Sequence, residues 1–251
     1  MRLRSWTVCA ALCAVLAPAA AAASVCEGQV PLSFLYPASG ELYVPSNVKI
    51  YVGEAWTDDG SVLELRANSG LEVSLEATVI QSGGSQLTVL TPSVVLTHDA
   101  YHLIQVAPDG GEVRLSVFAT VDEPDHSAPQ IPGDDGFEPL WDSTETPGCA
   151  SSARLELRLP EIETVMMVEI ADGEELDKSV PFDPERLEGT VHGLVFEEGW
   201  PDFFEIGRAP CLSNWPDAAP GEATQVRFAA LDEAGNFSGW GQWQDVAIPL
   251  A

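Results

Sequence analysis

Hydrophobic and polar residues alternate along most of this chain, and the alternation has a period of two. Arg154-Leu-Glu-Leu-Arg-Leu159 puts leucines on one face and charges on the other, as a half-buried strand requires. Leu103 with Gln105, and Val113, Leu115 and Val117, repeat that pattern. Few segments carry a helical period. Strands are predicted at Val48–Val52, Val62–Arg66, Leu71–Ile80, Gln86–Leu90, Tyr101–Val106 and Glu112–Ala119. A second series is predicted at Arg154–Leu159, Thr164–Ile170, Thr190–Val195, Phe203–Arg208, Thr224–Ala230 and Trp240–Ile248.

Short strands at this spacing, with turn signals between them, predict an all-β fold of two tandem β-sandwiches. Ser82-Gly-Gly-Ser85 and Pro108-Asp-Gly-Gly111 separate neighbouring strands, and glycine there tolerates the positive φ of tight hairpins. From Val121 to Gly136 the text changes to proline and acid without periodicity, which reads as a semi-rigid linker. The expected organisation is a signal peptide at 1–23, a first sandwich at 30–120, an acidic Pro-rich linker at 121–147 and a second sandwich at 148–251.

The opening Met1-Arg-Leu-Arg4, an apolar run and then Ala19–Ala23 have the form of a secretory signal peptide, with cleavage placed after Ala23. The run is too short for a stable transmembrane helix, so no membrane insertion is expected after cleavage. Ala23-Ser-Val-Cys26 departs from a bacterial lipobox at Val25 and lacks its leucine, and lipidation of Cys26 stays the lesser alternative. These features place the protein outside the cytoplasm: secreted, periplasmic or associated with the cell surface. No sortase-type anchor is read in Ile248-Pro-Leu-Ala251, so surface attachment is expected to depend on a partner.

Charge narrows the range of partners. The chain has 11 Lys and Arg against 39 Asp and Glu. Removal of the signal takes Arg2 and Arg4 and no acid, leaving a formal charge of −30. Such a field repels nucleic acid and anionic membrane surfaces; it favours solubility, cations and a basic partner. With 45% hydrophobic residues the chain can bury sizeable cores. Three cysteines remain after cleavage, and an oxidising compartment favours one disulfide. Cys149 and Cys211 fall in one sandwich and are the expected pair, with bridges from Cys26 to either one left open.

The first sandwich resembles the bacterial Ig-like family of surface-layer and secreted proteins. The residues that carry this are Tyr36-Pro-Ala-Ser-Gly40, then Val44-Pro-Ser-Asn-Val48, and Leu96-Thr-His-Asp-Ala-Tyr101 closed by Phe118-Ala-Thr120. The resemblance implies a tyrosine corner, in which the Tyr101 phenol bonds back to the loop before it. Its segment Tyr51-Val-Gly-Glu-Ala55 aligns only loosely with the family. The second sandwich is similar to fibronectin-type-III and Ig-like domains over Thr224–Trp240, where Asp232-Glu-Ala-Gly-Asn236 matches a frequent turn between the last two strands. Thr224 or Gln225 stands where a corner tyrosine belongs.

Catalytic signatures are missing from the sequence. No zinc spacing surrounds His98, His102, His126 or His192, and no nucleophile elbow, phosphate loop or cysteine-protease motif occurs. The chain is therefore read as a non-enzyme without an obligatory cofactor. Clustered carboxylates leave calcium as a candidate ligand: Asp122, Glu123, Asp125, Asp134 and Asp135 in the linker, and Asp232 with Asn236 in the turn. The bland reading of that turn is Asp and Asn side chains capping backbone groups. Trp240 and Trp243 are the candidate ligand platform; on a regular strand, residues three apart face opposite sides. The expected role is structural, adhesive or protein-interacting. A carbohydrate- or calcium-dependent binding module is the alternative, an enzyme with an unrecognised site the remote one, and the partner an unspecified protein or glycan.

Overall fold

A computed structural model describes residues 34–53, 60–82, 85–131, 140–145, 153–158, 165–171, 181–196, 204–207 and 223–247. Among these the regular structure is all β. In the first half the strands are β1 (Leu35–Tyr36), β2 (Ile50–Gly53), β3 (Val62–Ala67), β4 (Glu72–Val73), β5 (Leu75–Ser82), β6 (Ser85–Pro92), β7 (Ala100–Val106) and β8 (Glu112–Ala119). The second half contributes β9 (Leu140–Glu145), β10 (Ala153–Arg158), β11 (Val165–Ile170), β12 (Gly189–Val191), β13 (Gly193–Phe196), β14 (Phe204–Gly207), β15 (Ala223–Leu231) and β16 (Gln244–Ala247).

Among the described residues four sheets form, ordered β1-β2-β6-β5-β12, β4-β3-β7-β8, β13-β11-β15-β16 and β14-β10-β9. The first two face each other across a core of Ile50, Val52, Leu65, Leu90, Tyr101, Leu103 and Phe118, a sandwich-like arrangement. The face expected from Val113, Leu115 and Val117 is corrected in β8: a register shift opposite Leu103 and Ile104 turns Ser116 and Phe118 inward and leaves Val113 exposed. Strand β2 departs from that alternation, because all four of its residues are buried. Its Tyr51 points away from the first core and into a second one. Phe34, Ile80, Leu87 and Val89 from the first half meet Val165, Met167, Leu187, Leu194, Ala229 and Leu231 from the second in that core. The β1-β2-β6-β5-β12 sheet is thus covered on both faces, and the two halves share apolar contacts.

Backbone pairing also crosses between the halves. Strand β12 adds to β5 in parallel, with Gly189 opposite Ile80 and Val191 opposite Ser82. One residue later the chain enters β13, which pairs with β11 in the other sheet. His192 is the corner: its N–H donates to the Val168 carbonyl at 3.0 Å, its carbonyl accepts from Ser82 Oγ at 3.3 Å, and its Nδ1 accepts from Ile170 N–H at 3.3 Å. The sequence reads Thr190–Val195 as one strand; the structure divides it at this residue between two sheets.

The segment expected as linker behaves in two ways. Residues 121–131 run without regular structure, yet they are pinned: Asp125 N–H donates to Asn47 Oδ1 at 2.9 Å, and Asn47 Nδ2 donates to the Asp125 carbonyl at 2.6 Å. Leu140–Glu145 is strand β9, paired antiparallel with β10. The signal peptide, Cys26, Cys149 and Cys211 lie outside the described residues.

Candidate functional site

Two polar constellations sit at the border between the halves, and both are built by β15 and the chain that follows it. The first is the Asp232–Asn236 turn. The Asp232 carboxylate is buried. Its Oδ1 accepts the N–H groups of Ala234 and Asn236, each at 2.8 Å, and its Oδ2 accepts Asn236 Nδ2 at 2.8 Å. Those are the bonds of an Asx-type turn, in which the side chain replaces backbone partners. Burial pushes the Asp232 carboxyl above the ordinary carboxylate range, helped by the charge of Asp125 and opposed by the donors from Asn236 and Ala234.

Groups from the first half close over this turn. Tyr51 Oη donates to the Asp232 carbonyl at 2.8 Å, and Lys49 N–H donates to the Glu233 carbonyl at 2.9 Å. Tyr36 Oη donates to Glu233 Oε2 at 2.5 Å. Burial, then this bond, drives the Tyr36 phenol far above its usual value. Asn236 Nδ2 also reaches the Asp125 carbonyl at 3.3 Å. Two sets of residues read separately as calcium ligands therefore meet here, through Asp125, Asp232 and Asn236. They meet through amide donors and a carbonyl, with the Asp232 oxygens turned toward N–H groups.

The described linker residues also bond outside the turn. Asp122 Oδ1 accepts the His98 N–H at 3.0 Å, Glu123 offers its carbonyl to Ser46 N–H at 3.2 Å, and Asp125 Oδ1 caps Ser127 N–H at 2.8 Å. Asp134 and Asp135 lie outside the described residues. Among the described residues no group of three or more His, Cys, Asp and Glu is placed to hold a metal ion.

The second constellation holds the two tryptophans. Strand β16 begins at Gln244, so the predicted strand Trp240–Ile248 forms only over its second part. Trp240 and Trp243 lie on the irregular segment before it, and the opposite-face geometry of a regular strand does not apply to them. Both rings turn to the same cation: the Arg227 guanidinium carbon is 5.0 Å from the Trp240 ring centre and 4.6 Å from that of Trp243. Glu169, directly across the β11–β15 ladder, accepts from Arg227 Nε at 2.8 Å. Phe237 meets Trp240 edge-on at 6.1 Å and Phe182 at 5.6 Å. Trp240 is partly buried against the shared core, while Trp243 keeps 40% of its surface exposed.

Sequence reasoning missed Arg227 and Glu169. The available signal was a lone arginine in the otherwise apolar Val226–Leu231 run, next to a chain segment with two tryptophans. Tyr51 was missed as an inter-sheet anchor because a tyrosine in a buried strand looks like ordinary core. The Tyr101 phenol, by contrast, does bond to the loop before it, accepting from Thr97 N–H at 3.1 Å and lying 3.3 Å from the Thr97 carbonyl.

No family model and no curated protein matches this chain. Among solved structures it is similar to the crystal structure of a pullulanase from Anoxybacillus sp. LM18-11, at 9% identity over 82% of this chain with a TM-score of 0.22. The same pullulanase complexed with maltotriose matches at 8% identity and the same TM-score. This chain spans 24% of the length of each. A likeness of that size carries no argument about fold or activity.

Proposed function

We propose that this chain is a non-catalytic, secreted or envelope-associated protein whose Ig-like and fibronectin-type-III-like sandwiches act as a spacer and a contact surface. The core shared by Tyr51, Ile80, Leu87 and Val89 with Val165, Met167 and Leu231 carries this reading. Two sandwiches joined by buried apolar area and cross-paired strands transmit load and hold a fixed spacing, whereas two joined only by a linker would swing. The polar groups gathered at the border support it as well, since Asp232, Asn236, Tyr51 and Asn47 are all consumed in structural bonds.

A second reading rests on one observation, the half-open Trp243 ring stacked on Arg227. An exposed indole fixed in place presents a flat apolar face at little entropic cost, which suits a sugar ring. The protein would then be a carbohydrate-binding module with Trp243 as its platform.

One experiment separates these readings. The full chain is expressed in a bacterial host with two membranes, its N-terminus and cell fraction are determined, and the purified protein is coated on beads offered envelope fragments and oligosaccharides. Processed, exported protein whose adhesion survives Trp243→Ala supports the first reading. Adhesion lost in Trp243→Ala and competed by a free oligosaccharide supports the second. Turnover of an oligosaccharide without retention overturns both.

A further inference from the structure

A groove of about 260 Å³ opens beside the border, between the turn that precedes β2 and the chain that leaves β6. Lys49 and Thr91 stand on it with Ser46, Pro92, Val94 and Val95. Most cations with described side chains face carboxylates: Arg66 meets Glu64 and Glu112, Arg186 meets Glu188 and Arg227 meets Glu169. Lys49 differs. Its Nζ donates to Thr91 Oγ1 at 3.1 Å, and among the described residues it forms no ion pair. Glu76 acts on it only through its field.

The Lys49 stem is held in place. Its Cγ lies so close to Gly235 that a Cβ added there would come within 2.6 Å of it. An ammonium has three donors, and one is used by Thr91. Removing a cation from water without a counter-ion is costly, and burial accordingly lowers the Lys49 ammonium below its ordinary range. On the same groove Ser46 is buried with its hydroxyl lacking a hydrogen-bond partner. Asn47 and Ser93 also line the groove, and its apolar part includes Val94 and Val95, which leave 55% and 65% of their surfaces in water at consecutive positions.

We propose that this groove binds a small aliphatic carboxylate, its charge met by the Lys49 ammonium and its hydrocarbon body laid on Val94 and Val95. Local charge complementarity at the Lys49 ammonium, which has no carboxylate partner among the described residues, selects the carboxylate against the repulsion of a chain in which acid outnumbers base 39 to 11. Size selects a small acid. At about 260 Å³ the groove is smaller than the roughly 300–1,000 Å³ of sites that enclose drug-sized ligands, which favours a short-chain acid. This site is separate from the Trp243 face and independent of the proposed spacer role.

The test is a methyl-resolved NMR titration of the purified full chain with sodium isovalerate. Isovaleramide, sodium chloride at matched ionic strength and a short peptide ending in valine serve as parallel arms. The expected result is saturable shifts confined to the Val94 and Val95 methyls and the Lys49 side chain. Affinity should be weak, as for any ligand of so few atoms, and weaker at least fivefold for the amide and in Lys49→Met, which keeps the packed stem. Should Lys49→Met fail to fold, Val95→Asp, on an exposed position, must give the same loss. Equal shifts with chloride would mean an adventitious ion only, and equal affinity for the amide an apolar contact without charge recognition. A peptide that saturates where isovalerate does not would make this a site for a chain end. Each of these three overturns the proposal.

Discussion

The phenol of Tyr51 and the main-chain carbonyl of Asp232, 181 residues apart in sequence, form a buried hydrogen bond of 2.8 Å between the two halves of the molecule. The ring fills the shared core while its oxygen satisfies the turn, so one residue serves packing and polar pairing together. That carbonyl also accepts Gly235 N–H at 3.1 Å, and loss of the phenol leaves it with one partner. Tyr51→Phe is therefore expected to keep the ring in place and lower stability by about 1 kcal/mol, the net worth of an ordinary buried hydrogen bond. Urea unfolding measures it, and an unchanged midpoint with unchanged slope would remove this bond from the account of the interface.

Gly235 tests the same border by sterics. Its φ is +77°, and a Cβ there would lie 2.6 Å from Lys49 Cγ and 2.9 Å from Leu187 Cδ1. Gly110 has a similar φ of +85° with nothing within 4 Å of an added Cβ. Gly110→Ala should cost only the left-handed backbone strain, roughly 1–2 kcal/mol. Gly235→Ala should exceed it by about another 1 kcal/mol or more, because atoms of the opposite half must move. Equal costs at the two positions would mean that the border yields freely.

Most strands were legible in the sequence, and the reasons for the exceptions are physical. Val62–Ala67 and Tyr101–Val106 carry a period of two because one face meets a core and the other water. In Glu112–Ala119, by contrast, a register shift opposite Leu103 and Ile104 turns Ser116 and Phe118 to the core and leaves Val113 exposed, which the alternation of Val113, Leu115 and Val117 does not reveal. Ile50–Gly53 carries no alternation, since both of its faces are covered, and a short apolar run does not reveal what covers it. Leu140–Glu145 reads as linker because Asp142 and Glu145 dilute its pattern among prolines and acids. The corner at His192 depends on Ser82, Val168 and Ile170, none of them near it in sequence. The border turn was legible as a turn. That Asp125 and Asn47 would reach it was not, because the Asp125–Asn236 contact spans 111 residues.

Asp232 gives the border a pH dependence of definite sign. Its carboxyl is raised above the ordinary value of 3.8, chiefly by burial, so the folded state holds that proton more tightly than the unfolded chain does. The contribution to stability is present in acid and is lost as pH rises from the unfolded value through the raised native one. Asp99 opposes it: the Ala100 N–H holds its carboxyl below the usual range, and its contribution is lost as pH falls. The informative quantity is thus the difference between the parent and Asp232→Asn. Across that window the parent's unfolding midpoint is expected to fall with pH relative to the variant's, and a parallel pair of curves would contradict the assignment.

Arg227 depends on its planar shape as well as its charge. Lys at that position keeps the ion pair with Glu169 but cannot stack flat on Trp240 and Trp243. Arg227→Lys is expected to lower stability by about 1 kcal/mol, in the range of a partly shielded cation–π contact, and to shift tryptophan emission to longer wavelength as Trp243 loosens. Glu169→Gln, which leaves the stack, should change stability without that spectral shift. Identical spectra for parent and Arg227→Lys would show that the rings are held by Phe237 and the backbone alone.

The shared core makes the strongest demand on the molecule as a whole. Phe34, Tyr51, Ile80, Leu87 and Val89 are each at most 5% exposed, and they pack with Val165, Met167, Leu194, Ala229 and Leu231 from the other half. Burying a large apolar side chain contributes about 1.5–3 kcal/mol, so separating the halves forfeits a sum comparable with the whole stability of a small domain. Strand β5 would also lose its parallel partner β12 and present a bare edge. The full chain is therefore expected to unfold in one calorimetric transition. A fragment ending at residue 131 should melt well below it, bind a hydrophobic dye and self-associate through the uncovered face. Leu87→Asp in the full chain offers a second measure, since it places an unpaired charge in the shared core and not in that of the first sandwich. It should depress the single transition without dividing it. If the fragment melts where the full chain does, or the full chain shows two separate transitions, the halves are independent and the spacer reading loses the rigidity on which it depends.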